Sequence, residues 1–232
     1  MKGFFENLGF FASRFSQAIV ITIEVSIISL AAATIIGIIV GLVNTSKSKS
    51  VIMKILKVIA NLYINIIRGT PMLVQILIIY FGLGQMLRPT GFRWLNIGGT
   101  FTAGTVALSL NAGAYMAEIV RGGIEAVDKG QIEAARSLGL TYGKTMKKIV
   151  LPQALRTMLP SIINQFIISI KDTSLLSVIG LTELTNVGKT IAATQSAHMM
   201  VIYCFMACYY LFICTVLAQV SKVVEKRLSY GK

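Results

Sequence analysis

Two charged residues lie inside apolar stretches that are long enough to cross a membrane. Of all the residues in the chain, these two are the strongest candidates for binding a charged ligand. Arg68 precedes Gly69-Thr70-Pro71 within one stretch, and Glu118 lies within another. A charge is costly in a bilayer, so such residues usually mark a binding site or a transport path. An arginine can hold a carboxylate through two parallel hydrogen bonds, and a glutamate can accept an amine or a guanidinium. The pair therefore offers both charges that a zwitterion needs.

Polar residues recur at helical spacing around these charges. Asn111, Tyr115 and Glu118 fall on one face of a helix, and a polar face inside a membrane must face protein or water. The predicted binding residues, which suit an amino acid zwitterion, are Arg68, Thr70, Asn111, Tyr115, Glu118, Ser161, Asn164 and Gln165. The alternative is that Arg68 and Glu118 pair with each other and only hold helices together. Both roles are compatible, because an empty site can close on its own ion pair.

The composition describes a polytopic membrane protein. Of the 232 residues 55% are hydrophobic and 13% are charged, and the mean hydropathy is +0.74. The net charge of +13 is carried by loops between apolar stretches, so it indicates membrane orientation rather than a nucleic-acid partner. Three cysteines in one apolar stretch and a single histidine leave little material for a metal site or a histidine-based catalytic triad. No removable signal peptide is expected.

The apolar stretches predict five membrane spans. Their expected ranges are 18–43, 58–87, 101–124, 152–170 and 198–220. Pro71 should kink the second span, because proline donates no backbone hydrogen bond and its ring clashes with the preceding turn. We expect an interfacial amphipathic segment over 1–16, a five-span domain over 17–221 and a basic tail over 222–232.

Three further charges lie within or near the spans. Glu24 should either reach outward or make a polar contact, with a transport role as the alternative. Lys171 and Asp172 at the outer end of the fourth span should mark an interface or an outer gate, with a place in the binding site as the alternative. Most of the 22 Lys and Arg residues fall on the side that holds the 125–152 loop and the C-terminus. The positive-inside rule therefore places the N-terminus outside and the C-terminus in the cytoplasm.

The loop at 133–152, EAARSLGLTYGKTMKKIVLP, has the signals of two short helices. Gly139 suits a left-handed cap after the first helix, and Thr141 suits the N-cap of the second. Glu133 is expected to stabilise the start of the first helix by its charge. A basic loop can simply rest on anionic lipid, but a structured loop between spans indicates that a partner docks on it.

The spacing of this loop is Glu-Ala-Ala, three residues, Gly, nine residues, Ile, one residue, Leu-Pro. In this it resembles the membrane subunits of ATP-binding-cassette importers, and RGTPMLVQ, NAGAYMAEIVRGGI, LPQALR and KDTSLLSVIG resemble the permeases for polar amino acids within that family. The resemblance implies an all-α integral membrane protein with five transmembrane helices and the type I (MetI-like) importer permease fold. It also implies an ATPase-coupling role for Glu133, Ala134, Ala135, Gly139, Ile149, Leu151 and Pro152.

The resemblance further implies a set of partners. They are a cytoplasmic ATPase subunit that holds the ATP and Mg²⁺, a second permease subunit (identical or related), an extracytoplasmic solute-binding protein, an amino acid substrate and the lipid of a bacterial inner membrane. No cofactor, metal or nucleic acid is expected on this chain, which lacks a G-x-x-x-x-G-K-[ST] nucleotide-binding loop. The expected function is that of a non-catalytic permease subunit for polar amino acids. Among these, basic amino acids are the expected substrates.

Two other classes of protein compete with this interpretation. A secondary transporter or channel driven by ion gradients would use Arg68 and Glu118 equally well, but it would not need a patterned cytoplasmic loop, and no inverted repeat is evident. An intramembrane enzyme would need a nucleophile with its base, or a metal site, and the sequence offers neither.

Overall fold

The computed structural model describes residues 8–229, and every regular element in that range is a helix. The elements are α1 (Leu8–Thr45), α2 (Val51–Gly69), α3 (Met72–Met86), α4 (Gly99–Glu125), α5 (Lys129–Ser137), α6 (Tyr142–Ile179), α7 (Leu184–Thr194) and α8 (Met199–Ser229). Helix α3 contains a π-helical stretch at Ile78–Leu83, and α6 contains one at Met146–Val150 and ends in a 3₁₀ turn at Thr173–Ile179. The predicted all-α architecture is confirmed.

Four spans can be recognised from length and apolar composition alone. Three are Phe11–Thr45, Tyr142–Ile179 and Met199–Arg227, and the bent pair Val51–Gly69 with Met72–Met86 makes a fourth. The remaining predicted span corresponds to α4, which is less apolar and has much of its surface buried against other helices. Its buried residues are mainly glycine, alanine and short polar side chains, including Ala107, Gly113 and Asn111. Small residues of this kind let neighbouring helices approach closely.

Helices α1 and α4 run parallel and lie in close contact. A Cβ added to Gly37 would lie 2.5 Å from the side chain of Met116, and one added to Gly41 would lie 2.7 Å from Val120. Toward the other end of the pair, the hydroxyl of Ser29 donates to the carbonyl of Thr105. Gly37 and Gly41, which are four residues apart on one face of α1, therefore let α1 pack closely against α4.

The predicted kink at Pro71 is a complete break, because the axes of α2 and α3 differ by 110°. Thr70 is extended at the break, with φ −123° and ψ 147°, which is the conformation that a following proline favours. The sequence placed the start of this span at residue 58, but α2 already begins at Val51. The hydroxyl of Ser50 caps it by accepting from the N–H of Met53.

The two chain ends differ from the predicted boundaries. Residues 1–7 of the expected interfacial segment lie outside the described residues, and from Leu8 onward the chain already belongs to α1. Phe11 and Phe15 are buried with Leu184, Ile191 and Ile202, and the interfacial position of the segment stays a prediction. At the other end, the expected basic tail begins as a continuation of α8, which extends to Ser229.

The segment between the fourth and fifth spans contains a short helix, α7. Glu183 caps α7 by accepting from the N–H groups of Thr185 and Asn186, and its carboxylate also accepts from the hydroxyl of Tyr210 at 3.1 Å. Burial raises the pKa of the Glu183 carboxyl, while these hydrogen bonds act in the opposite direction. The cap holds α7 against α8, so this segment is an ordered part of the bundle.

Candidate functional site

The two charges singled out in the sequence meet in the structure. An Nη1 atom of Arg68 lies 3.1 Å from Oε2 of Glu118. The guanidinium of Arg68 also lies 5.5 Å from the centre of the Tyr115 ring, a distance at which a cation is attracted to the ring face. Arg68 comes from the last turn of α2 and Glu118 from α4, so the ion pair connects the broken span to the central helix.

A third charge, which the sequence analysis did not single out, also binds Glu118. Nε and Nη2 of Arg121 donate to the two oxygens of the Glu118 carboxylate, each at 3.0 Å, and Nη1 donates to Glu125 at 2.6 Å. The signal for this contact was present in the sequence, since residues three and four apart on a helix are neighbours. The ion pair at Arg68 is therefore one part of a four-residue charge chain.

An open cavity of about 470 Å³ lies beside the ion pair. Its lining residues, drawn from α2, α4, α6 and α8, are Arg68, Tyr115, Glu118, Ile119, Pro160, Ser161, Asn164, Gln165 and Glu225. Ser161 and Asn164 are exposed toward it, and Gln165 is 5% exposed. Six of the eight predicted binding residues thus line one cavity. Glu225 was missed because it lies beyond the expected end of the fifth span.

The other two predicted binding residues, Thr70 and Asn111, do not line the cavity and belong to the helix break. The buried side chain of Gln75 donates to the carbonyls of Ile67 (2.7 Å) and Thr70 (3.0 Å) and to the Thr70 hydroxyl (2.9 Å). Its Oε1 accepts from the Asn111 amide at 2.9 Å.

Backbone groups freed by a proline break need polar partners inside a membrane, and Gln75 supplies them. Thr70 and Asn111 therefore help to stabilise the break, and their contact with substrate stays a prediction. Gln75 itself was overlooked, although it lies one helical turn after Pro71.

The loop after α4 has the cap geometry predicted for it. Gly139 has φ +80°, the N–H of Leu140 donates to the carbonyl of Ala135, and the N–H of Gly139 donates to that of Arg136. These two bonds define a Schellman cap, which favours glycine at the left-handed position. The hydroxyl of Thr141 then accepts from the N–H of Lys144 and starts α6.

The loop also differs from its prediction in two respects. The second short helix is not separate, because it continues as α6 through the fourth span to Ile179. Glu133 does not stabilise the start of α5, since the first turn of that helix contains no acidic residue and Asp128 provides the cap. Instead, Glu133 lines a cavity of about 800 Å³ together with Lys47, Lys57 and Lys129.

The seven predicted coupling residues divide by exposure. Glu133, Ala134, Gly139 and Pro152 are exposed, Ile149 and Leu151 are half-buried, and Ala135 is buried. Ile132 and Met146, on either side of the loop, pack on a buried cluster that includes Ile124, Val150 and Met158. The loop is therefore attached to the ends of α4 and α6 by apolar contacts, and Leu138 at its tip is 83% exposed.

The remaining charges predicted within or near the spans lie apart from the cavity. Glu24, Lys171 and Asp172 are not among its lining residues. Glu24 and Lys171 are exposed, and Asp172 is half-buried at the outer end of α6. Their roles as a polar contact or a gate stay predictions.

Known proteins share both the sequence and the fold of this chain. Residues 33–230 match the family described as "Binding-protein-dependent transport system inner membrane component". The chain is 41% identical over 207 residues to the glutamine transport system permease protein GlnP of Escherichia coli (strain K12), covering 89% of each chain. It is 36% identical over 212 residues to the arginine transport system permease protein ArtQ of Bacillus subtilis (strain 168), covering 91% of each.

A crystal structure of an amino acid ABC transporter contains a chain with the same fold. The TM-score is 0.85 at 34% sequence identity, and the match covers 96% of this chain and 98% of the other. These matches confirm the resemblance to importer permeases that the loop and span motifs indicated. They also confirm the predicted all-α importer permease fold.

Proposed function

Since the chain belongs to the family of inner membrane components of binding-protein-dependent transport systems, we propose that it is the permease subunit of an ATP-driven importer for polar amino acids. The observation that supports this most directly is the cavity in which Arg68 and Glu118 lie beside Ser161, Asn164 and Gln165. This set can bind a carboxylate, an ammonium group and a polar side chain. The similarity to glutamine and arginine permeases supports the same substrate class.

Arg68 is the group we assign to the α-carboxylate of the substrate. Its Nη1 atom is used by Glu118, but a guanidinium has five N–H donors, so donors remain for a second carboxylate. The side chain is 42% exposed, and it lies at the open cavity. Its position at the end of α2, directly before the 110° break, ties the bound carboxylate to the most irregular part of the bundle.

The loop over 125–152 is the surface that we assign to the ATPase partner. Its α5 helix and its left-handed cap present Glu133, Ala134 and Leu138 at the surface, while Ile132 and Met146 anchor it to the spans. A partner that moves this loop would move the ends of α4 and α6, which line the substrate cavity further along. ATP and Mg²⁺ belong to that partner, and this chain converts its movement into opening and closing of the cavity.

The proposal places the chain in a larger assembly in a bacterial inner membrane. A second permease subunit would complete the path, an extracytoplasmic binding protein would deliver substrate, and the N-terminus would face outward with the C-terminus in the cytoplasm. The sequence also predicted a preference for basic substrates from the Glu118 carboxylate. Two arginines contact that carboxylate, so its availability to a cationic side chain depends on them.

Replacement of Arg68 tests this function. In vesicles that contain the complete complex and its binding protein, we expect Arg68→Leu to abolish amino acid uptake while the partner continues to hydrolyse ATP. Arg68→Lys keeps the charge but loses bidentate geometry, so it should retain partial uptake. Lys54→Leu removes an exposed charge from the same helix and should transport normally. Normal uptake by Arg68→Leu would remove this residue from the binding site.

A further inference from the structure

Arg121 binds the Glu118 carboxylate from outside the substrate cavity. It contacts both carboxylate oxygens at 3.0 Å, yet it is not one of the lining residues of the cavity. Arg68, on the cavity side, shares only Oε2 of the same carboxylate. Glu118 is therefore held from two directions, and the contact that uses both of its oxygens comes from within α4.

This contact has the geometry that a cationic substrate would need. A guanidinium binds a carboxylate most strongly through two parallel N–H···O bonds, and Arg121 already makes them. An arginine side chain entering the cavity would have to displace Arg121 or accept a poorer contact. Two arginines already balance the charge of Glu118 before any substrate arrives, so a third cation from the substrate would add little binding energy.

A neutral polar side chain meets no such competition. Gln165, Asn164 and Ser161 line the cavity and supply amide and hydroxyl groups, which both donate and accept hydrogen bonds. An amide side chain can pair with these groups without displacing any ion pair. Arg68 remains the group for the substrate carboxylate.

We propose that Arg121 is a specificity-determining residue, which neutralises Glu118 from behind the cavity and thereby favours amino acids with neutral amide side chains over those with cationic ones. The proposal rests on the function assigned above, since it concerns the side-chain preference of the same cavity. Arg121 acts through Glu118 and is a positioning residue for it.

The test is direct binding to the purified complex of permease and ATPase subunits, with the binding protein omitted so that its own selectivity plays no part. Radiolabelled glutamine and arginine are the two probes, and the measured quantity is the ratio of their dissociation constants. In Arg121→Gln, we expect the affinity for arginine relative to glutamine to rise about tenfold, the size expected when a charge-assisted hydrogen-bonded pair becomes available. Arg121→Lys keeps the charge but loses the two parallel hydrogen bonds, so its ratio should lie between those of the wild type and Arg121→Gln.

Arg156→Gln is the matched control, because it removes an exposed arginine that does not line the cavity and should leave the ratio unchanged. An unchanged ratio in Arg121→Gln, with binding retained, would overturn the proposal. Equal loss of both ligands in Arg121→Gln and Arg121→Lys would also overturn it, because Arg121 would then support the site as a whole. Failure of the wild-type complex to bind either amino acid would instead contradict the function proposed for the cavity.

Discussion

Adding a single methyl group at Gly139 should damage coupling far more than adding it at Gly143. Both glycines lie in the loop between α4 and the fourth span, and a Cβ at either would meet no atom within 4 Å. They differ in backbone conformation, because Gly139 has φ +80° and Gly143 lies within the first turn of α6. The pair therefore separates backbone strain from steric contact.

The expected magnitude follows from that difference. A non-glycine residue in the left-handed conformation costs about 1–2 kcal/mol, whereas alanine in place of glycine within a helix is favoured by roughly 0.5–1 kcal/mol. A cost of 1–2 kcal/mol shifts the balance between the native loop and rearranged forms by a factor of roughly 5–30. Gly139→Val should cost more, because a β-branched side chain tolerates positive φ least.

The assay is the number of amino acid molecules transported per ATP hydrolysed, measured in vesicles containing the complete complex. Gly139→Ala should lower this ratio several-fold and Gly139→Val further, while Gly143→Ala should match the wild type. Equal ratios for Gly139→Ala and Gly143→Ala would refute the reasoning, because the left-handed cap would then have no part in transmitting movement.

Two further substitutions test the interior of the bundle through the apparent melting temperature of the complex in detergent. Gln75→Met should lower it by several degrees, because hydrogen bonds between membrane helices contribute about 0.6 kcal/mol each and Gln75 makes four contacts. Gln85→Met, at an exposed position of α3, should leave the melting temperature unchanged. A similar fall in both variants would show that Gln75 does not stabilise the break. Gly37→Ala should destabilise by about 1–3 kcal/mol through its clash with Met116, and Met116→Ala in the same chain should relieve it. Gly122→Ala, which meets no atom within 4 Å, is the control, and equal stability of the Gly37 and Gly122 variants would contradict the close contact of α1 and α4.

Much of this architecture follows from local sequence signals. Long apolar stretches predict spans because a bilayer demands them, and Gly139 predicts a left-handed cap because few other residues tolerate positive φ. The pairing of Arg68 with Glu118 was one of the two alternatives that the sequence offered, because opposite charges inside a membrane usually form ion pairs. Each of these features follows from the chemistry of a few residues and their local surroundings, so a single sequence is enough to predict it.

Other features depend on three-dimensional contacts that periodicity does not reveal. Asn111 shares its helix with Glu118, yet it turns toward Gln75, because the break at Pro71 leaves carbonyl groups that need a partner. The bend of 110° is set by packing on both sides of the break, whereas a proline alone predicts only a kink. Arg121 lies three residues after Glu118, so helical spacing allows their contact, but the spacing does not show that Arg121 binds both oxygens of a carboxylate that Arg68 also contacts.

The most direct test of the proposed function is uptake by the purified permease in vesicles supplied with its binding protein, with and without the ATPase partner and ATP. If the chain has a binding cavity but depends on a partner to move it, concentrative uptake should occur only when the ATPase and ATP are both present. Rapid amino acid flux by the permease alone, driven by an ion gradient, would contradict the proposed function.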